Sequence, residues 1–197
     1  MKDPTHFDIL RSRATQHNVR QVFDELTAAY PQFEYWSGSH NKMLHHYERG
    51  GLVRHTCEIV ELGLQAIPTL NLCEKVDPIE FYLAALFHDT GKMYDYVKDG
   101  EGWKPCQHRR MIHHLPRSCI IWHDIASKFT EVNARYHDLV LHAILAHHGR
   151  REAGSPVAPL TRVAWLLHLC DGISARMDDV ERLDIVSHTT HGLRAGT

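Results

Sequence analysis

A histidine and an aspartate stand side by side where an apolar segment ends, in the stretch ALFHDTGKMYDY at residues 84–95. His88 and Asp89 follow the run FYLAALF, whose uninterrupted apolar character predicts a fully buried helix. A buried carboxylate is costly unless it is paired or bound to a metal ion. The pair therefore predicts a buried ion pair or a metal site, and the choice depends on which other polar residues reach it.

Other predicted helices also carry histidine or aspartate in apolar surroundings. A lone buried histidine is more often a hydrogen-bonded core residue than a metal ligand. Asp171 is harder to explain as a core residue, because His168 is its only basic neighbour three or four positions away. Two buried carboxylates and several buried histidines account for one another if they share a cation. The further candidates are His55, His113 or His114, His147, His148 and Asp171.

The donor types indicate which cation would bind. Histidine is the commonest metal ligand in proteins, and this chain has 18 histidines against 22 lysines and arginines. A mixed set of histidines and aspartates suits one or two divalent transition ions (Mn, Fe, Co, Ni or Zn) better than Ca, with Mg as an alternative. None of the five cysteines has ligand spacing, which argues against a structural zinc site.

The elements that must position these residues are predicted to be mostly helical. Asp77 and Pro78 form an N-cap and first-turn pattern before the buried segment. Asp99-Gly100 favours a β-hairpin near 94–105. Apolar residues at helical spacing predict helices over 16–30, 52–67, 77–91, 111–126 (or from 115, because of Pro116), 131–148 and 162–177. The fold class is therefore mostly α, a helical bundle with one short hairpin.

Bulk properties indicate a soluble enzyme-sized domain. The chain has 197 residues, 43% of them hydrophobic, and no apolar run long enough to cross a membrane. The cysteines form no C-x-x-C pair, so we expect reduced thiols and a cytoplasmic protein. We expect an N-terminal helix and loop over 1–44 packed on the core, a catalytic domain over 45–183 and a loose tail over 184–197. A homo-oligomer remains an alternative to a monomer.

The order of candidate ligands resembles that of a known superfamily. His, His-Asp, His, His and Asp follow one another along predicted helices, with HDTGK at the centre, as in the HD superfamily of metal-dependent phosphohydrolases. A narrower resemblance covers residues 45–176. HHYERGGLVRHT, LFHDTGK, and HHGRREAGSPVAP followed by LCDGISAR are similar to the catalytic domain of YhaM-type 3′-to-5′ exoribonucleases. The resemblance implies an HD-domain helical bundle over 45–183.

The resemblance also implies roles for single residues. It assigns metal binding to His55, His88, Asp89 and Asp171, and a second metal or the substrate phosphate to His114, His147 and His148. His45 and His46 align with a histidine pair that precedes the first ligand in that family. YhaM-type enzymes carry an OB-type domain before the catalytic domain, whereas about 44 residues precede the core here. That departure leaves the binding of a nucleic-acid strand without an assigned surface.

Phosphoester hydrolysis needs an activated water and cations on the phosphoryl oxygens, which a pair of metal ions can supply. We expect Asp89, Lys92, His114 and Asp171 to be catalytic. Lys92 either offsets phosphate charge or complements the preceding helix C-terminus. Arg150 and Arg151 either bind phosphate or are solvated. His45 or His46 either protonates the leaving group and contacts substrate, or only packs.

The leading hypothesis is a metal-dependent phosphohydrolase that acts on nucleotides or short nucleic acids. One alternative is a 3′-to-5′ exonuclease or other nuclease on longer RNA or DNA, and another is a non-catalytic module that holds a metal. The net charge of −2 favours small substrates, because long strands usually call for a basic surface. Tyr94, Tyr96 and Trp103 near the hairpin could stack on a base, although such residues more often pack in a core.

Overall fold

The chain folds into a helical bundle with one small hairpin, as predicted. The computed structural model describes the backbone of residues 3–192 and the side chains of residues 3–182. The helices are α1 (His6–Gln16), α2 (Arg20–Ala29), α3 (Gly51–Thr69), α4 (Pro78–Phe87), α5 (Lys92–Asp95), α6 (Gln107–Met111), α7 (His114–Ala126), α8 (Thr130–Ala146) and α9 (Arg162–Gly192). Strands β1 (Tyr96–Asp99) and β2 (Gly102–Pro105) pair antiparallel.

Helix α4 lies at the centre of the bundle. Every residue from Phe81 to Phe87 is buried, and α4 packs against α3, α7, α8 and α9. Its start follows the prediction, because the Asp77 side chain accepts a hydrogen bond from the Ile79 amide at 2.9 Å and Pro78 occupies the first turn. A helix with helices on all its sides has no solvent face, which explains the uninterrupted apolar run in its sequence.

The helix boundaries in the N-terminal region differ from the predictions. Residues before 16 form α1, which the sequence analysis missed, and the next helix begins at Arg20 rather than at 16. Helix α1 has a capping box between Thr5 and Asp8 and packs on α3 through Leu10 and Ala14. Its two buried residues are too few for a clear periodic signal.

Helix α7 begins at His114 rather than at 111, close to the alternative start. His113 has a φ of +72°, which interrupts any helix running through it, and Pro116 lies in the first turn, where its missing amide costs nothing. Helix α8 ends at Ala146, two residues before the predicted end at 148, and Gly149, the predicted stop, has a φ of +88°. These two breaks matter because each one lies beside a predicted metal ligand.

Helix α9 continues past the expected domain boundary at 183 and runs to Gly192. The remainder of the expected loose tail, residues 193–197, lies outside the described residues. The hairpin turns at Gly100-Glu101, and its Trp103 ring packs on Trp36 with centroids 4.5 Å apart. In the part of the chain that the structure describes, no helix combines the length and apolar character needed to span a bilayer.

The packing of α3 on α4 provides a test of the fold. Gly63 faces Phe81, and a Cβ at position 63 would overlap the buried Phe81 ring. We expect Gly63→Ala to lower the free energy of unfolding by about 1–3 kcal/mol, because the ring cannot move without disturbing the core. Gly172→Ala is the matched control in α9, where a Cβ would meet open space. It should leave stability unchanged or raise it by up to about 1 kcal/mol. Urea unfolding of metal-free protein measures both, and equal losses would contradict this packing.

Candidate metal centre

The seven predicted ligands meet at the end of α4, where five of them line a cavity of about 240 Å³ and the fully buried His55 and His88 lie behind them. Helices α3 and α9 contribute side chains from their interiors, whereas α4, α7 and α8 contribute them from their ends. The side chains are His55, His88, Asp89, His114, His147, His148 and Asp171. The cavity mouth is formed by the hairpin, α6 and the loop before α3.

A first cluster joins the two predicted aspartates. His55 Nε2 lies 3.0 Å from Asp171 Oδ1 and 3.5 Å from Asp89 Oδ2. His88 Nε2 lies 3.3 Å from Asp89 Oδ2 and 4.0 Å from Asp171 Oδ1. Each residue therefore directs one donor atom toward the same point, an arrangement that suits a divalent ion.

A second cluster consists of three histidines. His114 Nε2 lies 3.3 Å from His148 Nε2, and His147 belongs to the same group of converging donors. Asp89 Oδ1 lies 3.6 Å from His114 Nε2 and 3.8 Å from His147 Nε2. Asp89 thus presents Oδ2 to the first cluster and Oδ1 to the second, so a single carboxylate lies between two groups of nitrogen donors.

The buried polar atoms of the first cluster fit a metal ion. Among the described residues, His55 Nε2, His88 Nε2 and both carboxylate oxygens of Asp89 are buried without a hydrogen bond of good geometry, although the Lys92 ammonium lies 2.6 Å from Asp89 Oδ2 and His55 Nε2 lies 3.0 Å from Asp171 Oδ1. Buried polar groups are almost always satisfied in folded proteins, so four such atoms close together need a common explanation. A shared cation provides one, because each orphaned atom is a metal-ligand type.

The other ring nitrogen of each histidine is held by the protein. His88 Nδ1 donates to the Ala85 carbonyl at 2.8 Å, and His147 Nδ1 donates to the Ile144 carbonyl at 2.7 Å. Both acceptors lie three residues back, at the end of the same helix as the histidine. These bonds place the free lone pair on Nε2, which faces the centre.

His55 and His114 are held from other helices. His55 Nδ1 lies 2.9 Å from Ser174 Oγ, which in turn donates to Glu58 Oε2 at 2.7 Å. His114 Nδ1 lies 3.2 Å from Asp95 Oδ2. Carboxylates behind metal-binding histidines orient the ring and raise its basicity.

The glycine of HDTGK brings α7 to the site. The Gly91 amide donates to Ser118 Oγ at 2.8 Å, and a Cβ on Gly91 would overlap the His114 backbone. Only a residue without a side chain lets α7 approach the turn after Asp89 so closely. The approach places His114 beside the Asp89 carboxylate.

Protonation states in the site suit metal binding. Burial lowers the pKa of His55 to about 4, and burial together with His114 lowers the pKa of His148 to about 4. Burial also holds the pKa of His147 well below its usual value. These imidazoles are therefore neutral at neutral pH, as metal ligands must be.

The acidic group of the centre remains ionised. Burial acts to raise the pKa of Asp89, but Lys92 and then His88 outweigh burial and hold the pKa well below its usual value. In return, Asp89 raises the pKa of His88 against the effect of burial. The site thus contains an ionised carboxylate that attracts positive charge.

The predicted substrate-binding residues fall into two groups. Lys92 and His45 line the cavity, with Lys92 Nζ 2.6 Å from Asp89 Oδ2 and His45 Nδ1 3.7 Å from Asp179 Oδ1. His46 and Arg150 are not among the cavity-lining residues. His46 is fully buried behind the site with Nε2 3.0 Å from Glu58 Oε2, and Arg150 is exposed.

A basic residue at the cavity mouth, Arg109, was not predicted from the sequence. Arg109 of α6 lines the cavity, contacts His40 Nδ1 at 2.6 Å through its guanidinium, and lies 5.9 Å from the Tyr96 ring centroid. Tyr96 is the one member of the predicted aromatic group Tyr94, Tyr96 and Trp103 that lines the cavity. No local pattern distinguishes Arg109 from the neighbouring Arg110, since the direction of α6 is set by its contacts with α5, which include His108 Nδ1 3.0 Å from Asp95 Oδ1.

Comparison with known proteins confirms the predicted resemblance. A family model described as the HD domain matches residues 52–176. The 3′-5′ exoribonuclease YhaM of Geobacillus sp. (strain WCH70) is 26% identical over 177 residues, covering 84% of this chain and 49% of the relative. Proteins of the same name from Shouchella clausii (strain KSM-K16) and Oceanobacillus iheyensis are 28% and 29% identical over 148 residues, covering 70% of this chain and 42% of each relative.

The chain therefore spans about half the length of these relatives. No solved structure matches it significantly.

The shared carboxylate predicts different metal losses in different variants. Asp89→Ala should reduce bound metal to background, because Asp89 presents an oxygen to both clusters. His148→Ala should remove only the ion of the second cluster and leave the first filled. Elemental analysis and calorimetric titration of folded protein measure both, with Asp99→Ala at the exposed hairpin tip as control. Equal metal contents in the Asp89 and His148 variants would contradict a bridging carboxylate.

The carboxylate behind His55 predicts a stability effect that depends on pH. Burial acts to raise the pKa of Glu58, but hydrogen bonds from His46 and Ser174 outweigh burial and lower the pKa to about 2. Since a lowered pKa stabilises the fold only while the group is ionised, Glu58→Gln should destabilise most above pH 4.5. The difference from wild type should shrink as the pH falls from 4.5 toward 2.

The same variant should weaken metal binding by about 10-fold or more, because Ser174, which holds the His55 ring, loses its charged acceptor. Glu61→Gln is the matched control on α3, since Glu61 pairs with Arg13 away from the site. It should change stability without changing metal affinity. A Glu58 variant with wild-type metal affinity would show that the contact with Ser174 does not orient His55.

Proposed function

Since the chain belongs to the HD domain family of metal-dependent hydrolases, we propose that it cleaves phosphoester bonds of nucleotides or of the ends of short nucleic acids. The observation that carries the proposal is the position of Asp89, which presents one carboxylate oxygen to each of two clusters of nitrogen donors. In a site with two such clusters, phosphoester hydrolysis depends on cations held close together at the base of the cavity.

We infer that His55, His88, Asp89 and Asp171 hold one divalent transition ion. The second cluster, His114, His147 and His148, holds another ion or the substrate phosphate, and Mn is one candidate among Mn, Fe, Co, Ni and Zn. Bound ions of this kind supply an activated water and neutralise phosphoryl charge. The carboxylates and neutral imidazoles of the chain keep the donor atoms in place while substrate enters.

Two cations of the chain itself face the cavity. Lys92 lies at its base beside Asp89, and Arg109 lies at its mouth. The Lys92 ammonium suits a non-bridging phosphoryl oxygen close to the scissile bond. The Arg109 guanidinium suits a second phosphate or the sugar edge, because its planar fork can bind two oxygens at once. Arg150 is exposed and away from the lining, so we assign it no substrate contact.

His45 contacts the substrate as a neutral group in this proposal. Burial, followed by the nearby charge of Lys92, lowers its pKa from the ordinary value. An imidazole with a lowered pKa is largely unprotonated at neutral pH and has no proton to give, so His45 is better suited to accept a hydrogen bond than to protonate the leaving group. His46 does not touch the cavity and supports Glu58 instead.

The size of the cavity favours a small substrate or a strand end. A volume of about 240 Å³ accommodates a phosphate with part of its sugar but not a strand passing through. The ring of Tyr96 is buried in the cavity wall between His40, 5.3 Å away, and Arg109, so it shapes the entrance and does not present a free face to a base. This arrangement is compatible with both nucleotide hydrolysis and removal of terminal nucleotides.

A 3′-to-5′ exonuclease is the second candidate. The relatives from Geobacillus, Shouchella and Oceanobacillus are named as 3′-5′ exoribonucleases, but this chain spans about half of their length. A partner protein could supply the strand-binding surface.

A substrate screen distinguishes the two candidates. Folded protein loaded with Mn, Co, Ni or Mg is offered nucleoside mono- and triphosphates, cyclic nucleotides and short single strands with free or blocked 3′ ends. Cleavage of nucleotides alone supports the first candidate. Stepwise shortening that a 3′ block abolishes supports the second, and a metal-loaded protein inactive on the whole set would contradict both.

The position of Arg109 at the cavity mouth predicts that its loss weakens substrate binding without reducing the amount of bound metal. Arg109→Ala should raise KM by about 10-fold or more, because a charge-assisted contact to phosphate is worth about 1.5–3 kcal/mol. The metal content should stay at the wild-type value. Arg150→Ala is the matched control and should leave KM unchanged. If the Arg150 variant rather than the Arg109 variant raised KM, the substrate would approach from the other side of the site.

A further inference from the structure

Helix α9 exposes a stripe of apolar residues on the side opposite Asp171, with exposed Arg162 and Arg176 on the same side. Trp165, Leu169, Ile173, Met177 and Val180 follow one another at intervals of four, four, four and three residues, so they lie on one side of the helix. All five are exposed even though they are large and apolar. The other exposed positions in the described side chains of α9 are two arginines and a glutamate.

Two neighbouring side chains extend this face. Leu139 of α8 and Leu160 before α9 line a common groove with Trp165. The seven apolar residues, which we call the α9 face, are each between 40% and 83% exposed. A monomeric soluble protein rarely exposes so large a contiguous apolar patch without using it to bind something.

We propose that the α9 face binds the same face of a second copy of the chain, with the two α9 helices antiparallel. In that arrangement Ile173 lies near the twofold axis and meets its own counterpart. Leu169 of one copy faces Met177 of the other, and Trp165 faces Val180. A twofold contact must be self-complementary, and this stripe extends almost equally far on both sides of Ile173, eight residues to Trp165 and seven to Val180, with two large apolar residues on each side.

The charges on the helix favour the antiparallel direction. Arg162 in the first turn and Glu181 near the far end are both exposed. Antiparallel packing brings Arg162 of one copy near Glu181 of the other. Parallel packing would place Arg162 against Arg162 and Arg176 against Arg176, which repel each other.

The area is sufficient for a specific dimer. At roughly 100 Å² for each half-exposed large side chain, the seven residues offer about 700 Å² per copy and about 1,400 Å² in total. A specific interface buries at least about 1,000 Å². Since Asp171 lies on the opposite side of α9, the dimer leaves both cavities open.

Sedimentation velocity over a concentration series tests the proposal directly. The wild-type chain should be a dimer with a dissociation constant in the micromolar range or below. Leu169→Glu combined with Ile173→Glu should weaken association by at least about 30-fold, because both residues lie at the centre of the contact. Leu70→Glu changes an exposed leucine outside the α9 face and should leave the dimer intact. Circular dichroism verifies that each variant is folded.

A charge exchange tests the direction of the helices without altering the apolar residues. Arg162→Glu alone should weaken the dimer several-fold, and adding Glu181→Arg should restore it. In a Cys73→Ser background, Ile173→Cys should cross-link between copies with a short bifunctional maleimide, whereas Trp165→Cys should stay at the level of the background protein.

Three results would overturn the proposal. The first is a wild-type chain that stays monomeric at the highest soluble concentration, which would leave the face to another domain or partner. The second is a dimer that survives the double glutamate substitution in folded protein. The third is cross-linking through position 165 but not 173, which would indicate a different contact.

Discussion

The carboxylate of Asp89 is buried at the end of the central helix, and positive charge must surround it because water cannot reach it. The arrangement of the neighbouring elements follows from that requirement. Helix α5 turns back at once to place Lys92 beside it, and helices α7 and α8 end or begin with histidines at the same point. Several helix termini therefore meet at one negative group, joined by His55 from the side of α3.

Much of this arrangement is predictable from the sequence because it depends on local features. The apolar run before His88 required an all-buried helix, and an aspartate in that position required a partner with positive charge. The break at Gly149 follows from the need for a residue that tolerates a positive φ. Ligands that occupy helix ends therefore leave a readable pattern, in which apolar residues stop, a histidine or aspartate follows, and a glycine comes soon after.

The parts that escaped prediction depend on long-range packing. Arg109 reaches the cavity because contacts with α5 position a short helix of five residues, and its local sequence resembles any exposed basic segment. His46 seemed suited to substrate contact, yet Glu58 and the Asp178 carboxylate hold it behind the site. Helix α1 buries only Leu10 and Ala14, so its apolar pattern is too short to be recognised. In each case the deciding contact joins residues far apart in the chain.

The bonds from His88 and His147 to carbonyls of their own helices have a consequence for metal supply. Each of these two rings is oriented by a contact within three residues, and His55 and His114 are held by Ser174 and Asp95, so the folded chain itself holds these four donors in place. A site whose ligands are already in position does not rearrange on binding, so it cannot select one ion over another by such a rearrangement. Its occupant is then decided by intrinsic affinity and by which divalent ions the surroundings offer. A cell that changes its stock of free transition metals would thereby change the working state of this enzyme without altering the protein.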